Sequence, residues 1–222
     1  MNGPAPGDSQ TGTERGVTGS RQPSPLLAWL HSRVRLAPRL LTQVPAPIRR
    51  AFRHDWAPVE ALLVHARLLP SGLWPFLLSC TGGFVLISPD ESRYLAGESE
   101  IRGRPVQNVA IVSVQDLAAD NERPLHVLGH LVDHYLGCGG RPDGLWLSAG
   151  GGLRPRWQQA GARLADLYAL GYGIDATASA GVQDYLAQSL AVYCRDRRRL
   201  NVADPQIEKW LHNSLFDGGF WD

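Results

Sequence analysis

Apolar residues in the first third of the chain recur at helical spacing. Leu26, Leu27, Leu30 and Val34 suit a short amphipathic helix beginning at Pro25, with Trp29 at its edge. Pro38, Pro45 and Pro47 interrupt the segment after it. A second helix is predicted over 48–56, with Arg49, Arg50 and Arg53 on its polar side. Pro58 fits the first turn of a third helix, whose Val59, Leu62, Leu63 and Ala66 share one face and which stops before Pro70.

The pattern then shortens to that of buried strands. Residues 82–88 read GGFVLIS and are closed by the turn formers Pro89 and Asp90. Residues 108–114 read NVAIVSV, rich in β-branched side chains. A helix over 125–137 comes next, capped by Asp116 or Asp120, with Pro124 in its first turn and Gly137, Gly139 and Gly140 at its end. Residues 144–152 form a glycine-rich loop carrying Trp146, beside the helix. Helical spacing returns over 157–170 (Trp157, Ala160, Leu164, Leu167, Tyr168) and over 183–196 (Leu186, Leu190, Val192), around a small-residue loop at 171–181. A short helix near Trp210 and Leu211 precedes an aromatic end with Phe216, Phe220 and Trp221, which suits a strap over the core. Burial is the default for Trp74, Trp146 and Trp157.

These elements predict an α+β fold. Residues 1–24 carry little apolar surface and read as a disordered tail. Residues 25–222 read as a single domain: N-terminal helices over 25–80, a core over 81–196 and a C-terminal aromatic segment over 197–222. Composition narrows the function classes. The 222 residues are 44% hydrophobic, enough for a sizeable core, and the net charge of +1 gives no broad footprint for nucleic acid. Cys80, Cys138 and Cys194 are odd in number and widely spaced, which points to reduced thiols in the cytoplasm. The N-terminus lacks a signal-peptide apolar run, and the apolar stretch over 68–78 is broken by Pro70, Gly72 and Pro75, so neither export nor a membrane span is expected. Arg195, Arg197, Arg198 and Arg199 suit the negative end of a helix dipole as a solvated turn.

The chemistry concentrates in 125–137, LHVLGHLVDHYLG. His126 and His130 are one helical turn apart, so two imidazoles can close on one metal ion. Asp133 lies on the same side and can accept a hydrogen bond from an imidazole or a nearby backbone group. His134 has drifted about 80° around the helix from His126 and reads as structural. Cys138 lies beyond the helix-ending Gly137. Gly129 costs about 1 kcal/mol of helix propensity, which suggests that another segment approaches closely there. Both histidines also admit a purely structural role.

The run H-x-x-G-H-x-x-D followed by L-G resembles the metal-binding helix of zincin metallopeptidases, in particular the anthrax lethal factor catalytic-domain-like group. In that group a later helix resembles E-[YF]-F-A-E-x-F, and residues 184–190 here read DYLAQSL. The resemblance spans about residues 80–196 and implies a zincin-like domain with a small sheet, a metal-site helix and a helical C-terminal part. It implies zinc on His126, His130 and Asp184, with Asp133 and Gln188 in supporting positions.

Three positions depart from the family pattern. Val127 stands where the general-base glutamate belongs, Asp184 is one methylene shorter than the usual ligand, and Gln188 replaces an acidic residue. The oxyanion-stabilising residue has no clear counterpart, Tyr172 being twelve residues before Asp184. The expected function is a zinc-binding pseudoenzyme that keeps the fold, lacks ordinary peptidase activity and binds or scaffolds a protein or peptide partner. Two alternatives stand beside it. One is an unusual or weakly active zinc-dependent peptidase or hydrolase, with Glu122, Asp133 or Asp184 as base. The other is a metal-free interaction protein.

Overall fold

Ser24 opens the first helix, its hydroxyl oxygen accepting the backbone N–H of Leu27. The computed structural model describes residues 1, 3 and 23–222, so the tail expected over 1–24 falls mostly outside the described residues. Helix α1 (Pro25–Arg33) runs without a loop into strand β1 (Val34–Leu36). Trp29, expected at the helix edge, is instead a core residue packed on Trp74 at 4.9 Å between ring centroids. The helix expected over 48–56 is the short α2 (Ala46–Arg50), after which the chain turns. Helix α3 (Ala57–Ala66) follows with Pro58 in its first turn. Helix α4 (Leu73–Ser79) forms despite Pro75, because a proline in the first turn removes an N–H that has no helical partner.

The sheet contains β2 (Phe84–Ser88), β3 (Arg93–Ile101) and β4 (Arg104–Ser113), in the order β1-β2-β4-β3. β1 and β4 run parallel to β2, while β3 returns antiparallel along β4 with a register shift between Leu95 and Glu98. Val85, Ile87, Ala110 and Val112 face the main core; Val109, Ile111 and Ile101 form a smaller cluster with Phe84, Leu86 and Leu95. The fold is therefore α+β with a four-stranded mixed sheet.

Helix α5 (Val114–Ala119) is capped by Ser113 and ends at Asp120 in a left-handed conformation. Neither Asp116 nor Asp120 caps the histidine helix. Asp116 instead accepts hydrogen bonds from Ser92 and Asn121. The histidine helix is α6 (Arg123–Cys138), with Pro124 in its first turn and Gly139 as its left-handed C-cap. Every residue of α6 except Arg123 and His130 is buried. It packs on β4 and on α8 (Val182–Ala203), reached through α7 (Pro155–Ala169) and the intervening loop.

Asp196 breaks α8 internally, at φ −149° and ψ 76°. Arg197, Arg198 and Arg199 follow this break and are exposed, as expected of a solvated turn, but three of the four arginines also form ion pairs. Arg195 pairs with Asp120, Arg199 with Glu122 and Arg197 with Glu208 of helix α9 (Pro205–Asn213). The aromatic end does form a strap: Phe220 is buried and its carbonyl accepts the indole N–H of Trp157 at 2.8 Å. The three cysteines are free. Among the described residues no helix is long and apolar enough to cross a membrane.

Candidate metal centre

Arg123, His126, Val127 and His130 follow one another at i, i+3, i+4 and i+7 and share one face of α6. That face is one wall of a cleft of about 330 Å³. Tyr94 of β3, Trp146, Thr177 and the first turn of α8, with Gln183 and Asp184, supply the others.

Inside the cleft, His126 Nε2 and His130 Nε2 lie 3.1 Å apart. Asp184 Oδ1 stands 3.5 Å from the first and 3.4 Å from the second. A tetrahedral ion with bonds of about 2.0–2.1 Å holds its ligands about 3.3–3.4 Å from one another. The separations of 3.1, 3.5 and 3.4 Å bracket that spacing. Among the described residues, these three form the group of histidine, cysteine and carboxylate side chains able to hold an ion.

The short side chain of Asp184 reaches the histidines because α6 and α8 approach closely. A β-carbon on Gly129 would fall 2.8 Å from Cα of Ala187 and 3.1 Å from its Cβ. Gly129 therefore permits the approach that its presence in a helix suggests, and Ala187 is the segment it admits. Asp184 sits one turn before that contact.

A hydrogen-bonded chain behind the triad settles which nitrogen of His126 faces the cleft. The Asp175 carboxylate only accepts, so the Gln188 amide directs its NH₂ there, at 3.0 Å. Gln188 Oε1 then faces His126 Nδ1 at 3.1 Å and accepts its proton. The bare lone pair of His126 is left on Nε2, toward His130 and Asp184. Burial pushes the pKa of His126 below its ordinary value. Burial, then the neighbouring His126, pushes that of His130 down as well. Both rings are thus neutral near pH 7, the form that binds metal. Convergence of the His126 lone pair, His130 Nε2 and the Asp184 carboxylate on one point favours a cation.

His134 takes no part in the triad. Its Nε2–H donates to the Arg141 carbonyl at 2.9 Å and its Nδ1 accepts the Tyr94 hydroxyl at 2.8 Å. Its ring stacks on Trp146 at 4.7 Å. Asp133 touches neither His126 nor His130. It accepts the backbone N–H of Ser148 at 2.7 Å and the Ser148 hydroxyl at 2.5 Å. Its effect on the cleft is indirect, through the loop that carries Trp146. Gly137 serves the same docking, since a β-carbon there would meet the Leu147 nitrogen.

Glu122 turns to Arg199 at 2.9 Å and is not among the residues lining the cleft. Tyr172 is exposed and does not line it either. Cys138 donates to the carbonyls of His134 and Arg141. Trp146, for which burial was the default, lines the cleft, while Trp74 and Trp157 are core. Asp175, Tyr94 and Ser148 are missed by sequence reasoning. Asp175 lies thirteen residues before Gln188 in an irregular loop, a spacing without periodic signal.

No family model, no curated protein and no solved structure matches this chain.

Proposed function

We propose that this chain is a zinc-binding, zincin-like domain without ordinary peptidase activity, which uses its cleft to bind a protein or peptide. The observation that carries this reading is the triangle of His126 Nε2, His130 Nε2 and Asp184 Oδ1, whose edges of 3.1–3.5 Å suit one tetrahedral ion. Two imidazoles and a carboxylate are a ligand set that zinc takes readily, and zinc held there would supply a Lewis acid with an open position. The residues present fit the ion, and Gln188 and Asp175 give His126 the outer support that metal-bound imidazoles commonly have.

The remaining lining residues argue against hydrolysis. Val127 has nothing to titrate. Tyr94 is tied to His134, and burial pushes its phenol further from ionisation. Among the described residues, the lining beyond the triad holds no carboxylate or imidazole to serve as base, and the guanidinium groups of Arg93 and Arg123 offer only donors. The cleft does suit an extended peptide. β3 is an edge strand of the sheet among the described residues, its Arg93 and Tyr94 line the cleft, and such an edge can present backbone groups to a further strand.

Zinc titration of the full chain by calorimetry, with metal analysis of the dialysed protein, tests the reading. The expected result is about one ion per chain, lost in His126→Ala and His130→Ala and weakened in Asp184→Asn. A wild-type protein that takes up no zinc, or variants that bind as well as wild type, would overturn it.

A further inference from the structure

The N-terminal part of the described chain carries an uneven charge. Residues 23–70 hold seven arginines against two carboxylates, Asp55 and Glu60, while the whole chain has a net charge of only +1. The same region holds four of the exposed large apolar side chains: Leu27, Trp56, Val64 and Leu68. A surface that is both arginine-rich and apolar is unusual for solvent alone.

Two of those apolar side chains, Leu27 and Trp56, and one of those arginines, Arg35, line a groove on the β1 side of the sheet, at the opposite edge from β3 and the metal cleft. The groove has a volume of about 520 Å³. Leu27 and Leu30 of α1 and Val59 and Leu63 of α3 line it, with Trp56 at the start of α3, 63% exposed. Arg35 and Arg102 stand at the same groove, and both are held in place. The Arg35 guanidinium donates to the carbonyls of Val34 and Ser32, each at 2.8 Å. Arg102 donates to the Leu36 carbonyl at 2.7 Å, from a left-handed backbone at φ 54°. Among the described residues, Glu60 is the one carboxylate lining the groove.

We propose that this groove docks an acidic amphipathic helix of a partner protein. Apolar side chains at i, i+3 or i+4 and i+7 would enter between α1 and α3 against Trp56. Carboxylates on the flanks of that stripe would meet Arg35 and Arg102. Tryptophan and arginine are the residue types that most often dominate protein contacts, and guanidinium groups already fixed at the groove lose little freedom on pairing with carboxylates. The concave shape favours a helix over the alternatives. A lipid surface takes side chains that protrude from a convex face. Duplex DNA is held through phosphates and gives an apolar groove nothing to bury.

Selection of displayed helical peptides against the full chain tests this. The expected winners carry apolar residues at helical spacing flanked by aspartate and glutamate, and their affinity falls as salt is raised. Trp56→Ala weakens them about 30-fold, as for an interface anchor. Arg35→Gln with Arg102→Gln removes most of the salt dependence. Thermal melts of each variant verify that the fold persists, and Trp56 is exposed enough for its loss to leave the core intact. Three results would overturn the proposal: no enriched sequences, enriched sequences without acidic residues, or peptides that bind Trp56→Ala as tightly as wild type. Trp56-dependent binding to phosphatidylserine vesicles or to duplex DNA, with no peptide selected, would assign the surface to those ligands instead.

Discussion

Gly129 and Ala187 touch where the histidine helix crosses the Asp184 helix, and a β-carbon at position 129 would stand 2.8 Å from the Ala187 Cα. Glycine-to-alanine changes inside helices ordinarily stabilise by about 1 kcal/mol. Here the sign reverses, because the atom met is backbone and the helices must separate. Gly129→Ala is expected to cost about 1–3 kcal/mol in denaturant unfolding. It should also weaken zinc binding, since the carboxylate of Asp184 is withdrawn from the imidazoles. An alanine variant as stable as wild type would show that the two helices have slack.

Gln188 and Asp175 would act on a bound metal through His126. Gln188→Leu removes the acceptor for the Nδ1 proton, and Asp175→Asn removes the reason for the amide to keep its orientation. Outer partners of metal-bound histidines are worth about 10–100-fold in affinity. Calorimetric zinc titration should place Gln188→Leu within that range and Asp175→Asn nearer its lower end. Unchanged affinity in both would mean that the ring of His126 is held by packing.

Val127 lines the cleft between Arg123 and His130. If the scaffold is a peptidase without its base, Val127→Glu restores a group of the kind that contributes about 10²–10⁴-fold in rate. Cleavage of a quenched fluorescent peptide library by the zinc-loaded variant is the measurement, with Val127→Gln as the control that cannot take a proton. Activity in the glutamate variant alone is the expected outcome.

Asp133 is fully buried, and burial raises its pKa from 3.8 to about 7 despite the hydrogen bonds from Ser148. Between those values the folded protein keeps a proton that the unfolded chain has released. Its contribution to stability therefore declines as pH rises from about 4 to about 7 and levels off above. The histidines impose the opposite slope: burial lowers His126, His130 and His134, so stability is lost as pH falls below 6.5. Comparing wild type with Asp133→Asn cancels the histidine slope. The stability difference between the two proteins, measured by denaturant unfolding in chelator, should shrink as pH rises across that window.

Much of the site was legible because helix periodicity is strict. Once 125–137 is a helix, His126 and His130 must share a face; Asp184 and Gln188 were singled out only by the resemblance of DYLAQSL to the second zincin helix. The α+β class followed from two β-branched strands among amphipathic segments. Other features carry no periodic signal. β3 escaped because an outer strand can be polar: RYLAGESEI has glycine at 97 and charges on its exposed positions. β1 was absorbed into the preceding helix because Val34 continues the leucine spacing. Asp133 was placed near the histidines on angular grounds, yet side-chain direction turns it to Ser148. Asp175 is found only in three dimensions, where a loop returns to the start of α8.

The break at Asp196 has a consequence for cooperativity. It divides α8 into a stretch packed on the histidine helix, its Tyr185 and Tyr193 hydroxyls reaching Asp204 and His212, and a stretch held by Arg197 and Glu208 against α9. A continuous helix would carry any local opening at its far end toward Asp184. The hydrogen bonds from Tyr185 to Asp204 and from Tyr193 to His212 span the break, and Leu200, Ile207 and Leu211 share the main core, so opening of α9 withdraws support from the stretch that carries Asp184. The geometry around Asp184 is thereby tied to the packing of α9, well away from the cleft.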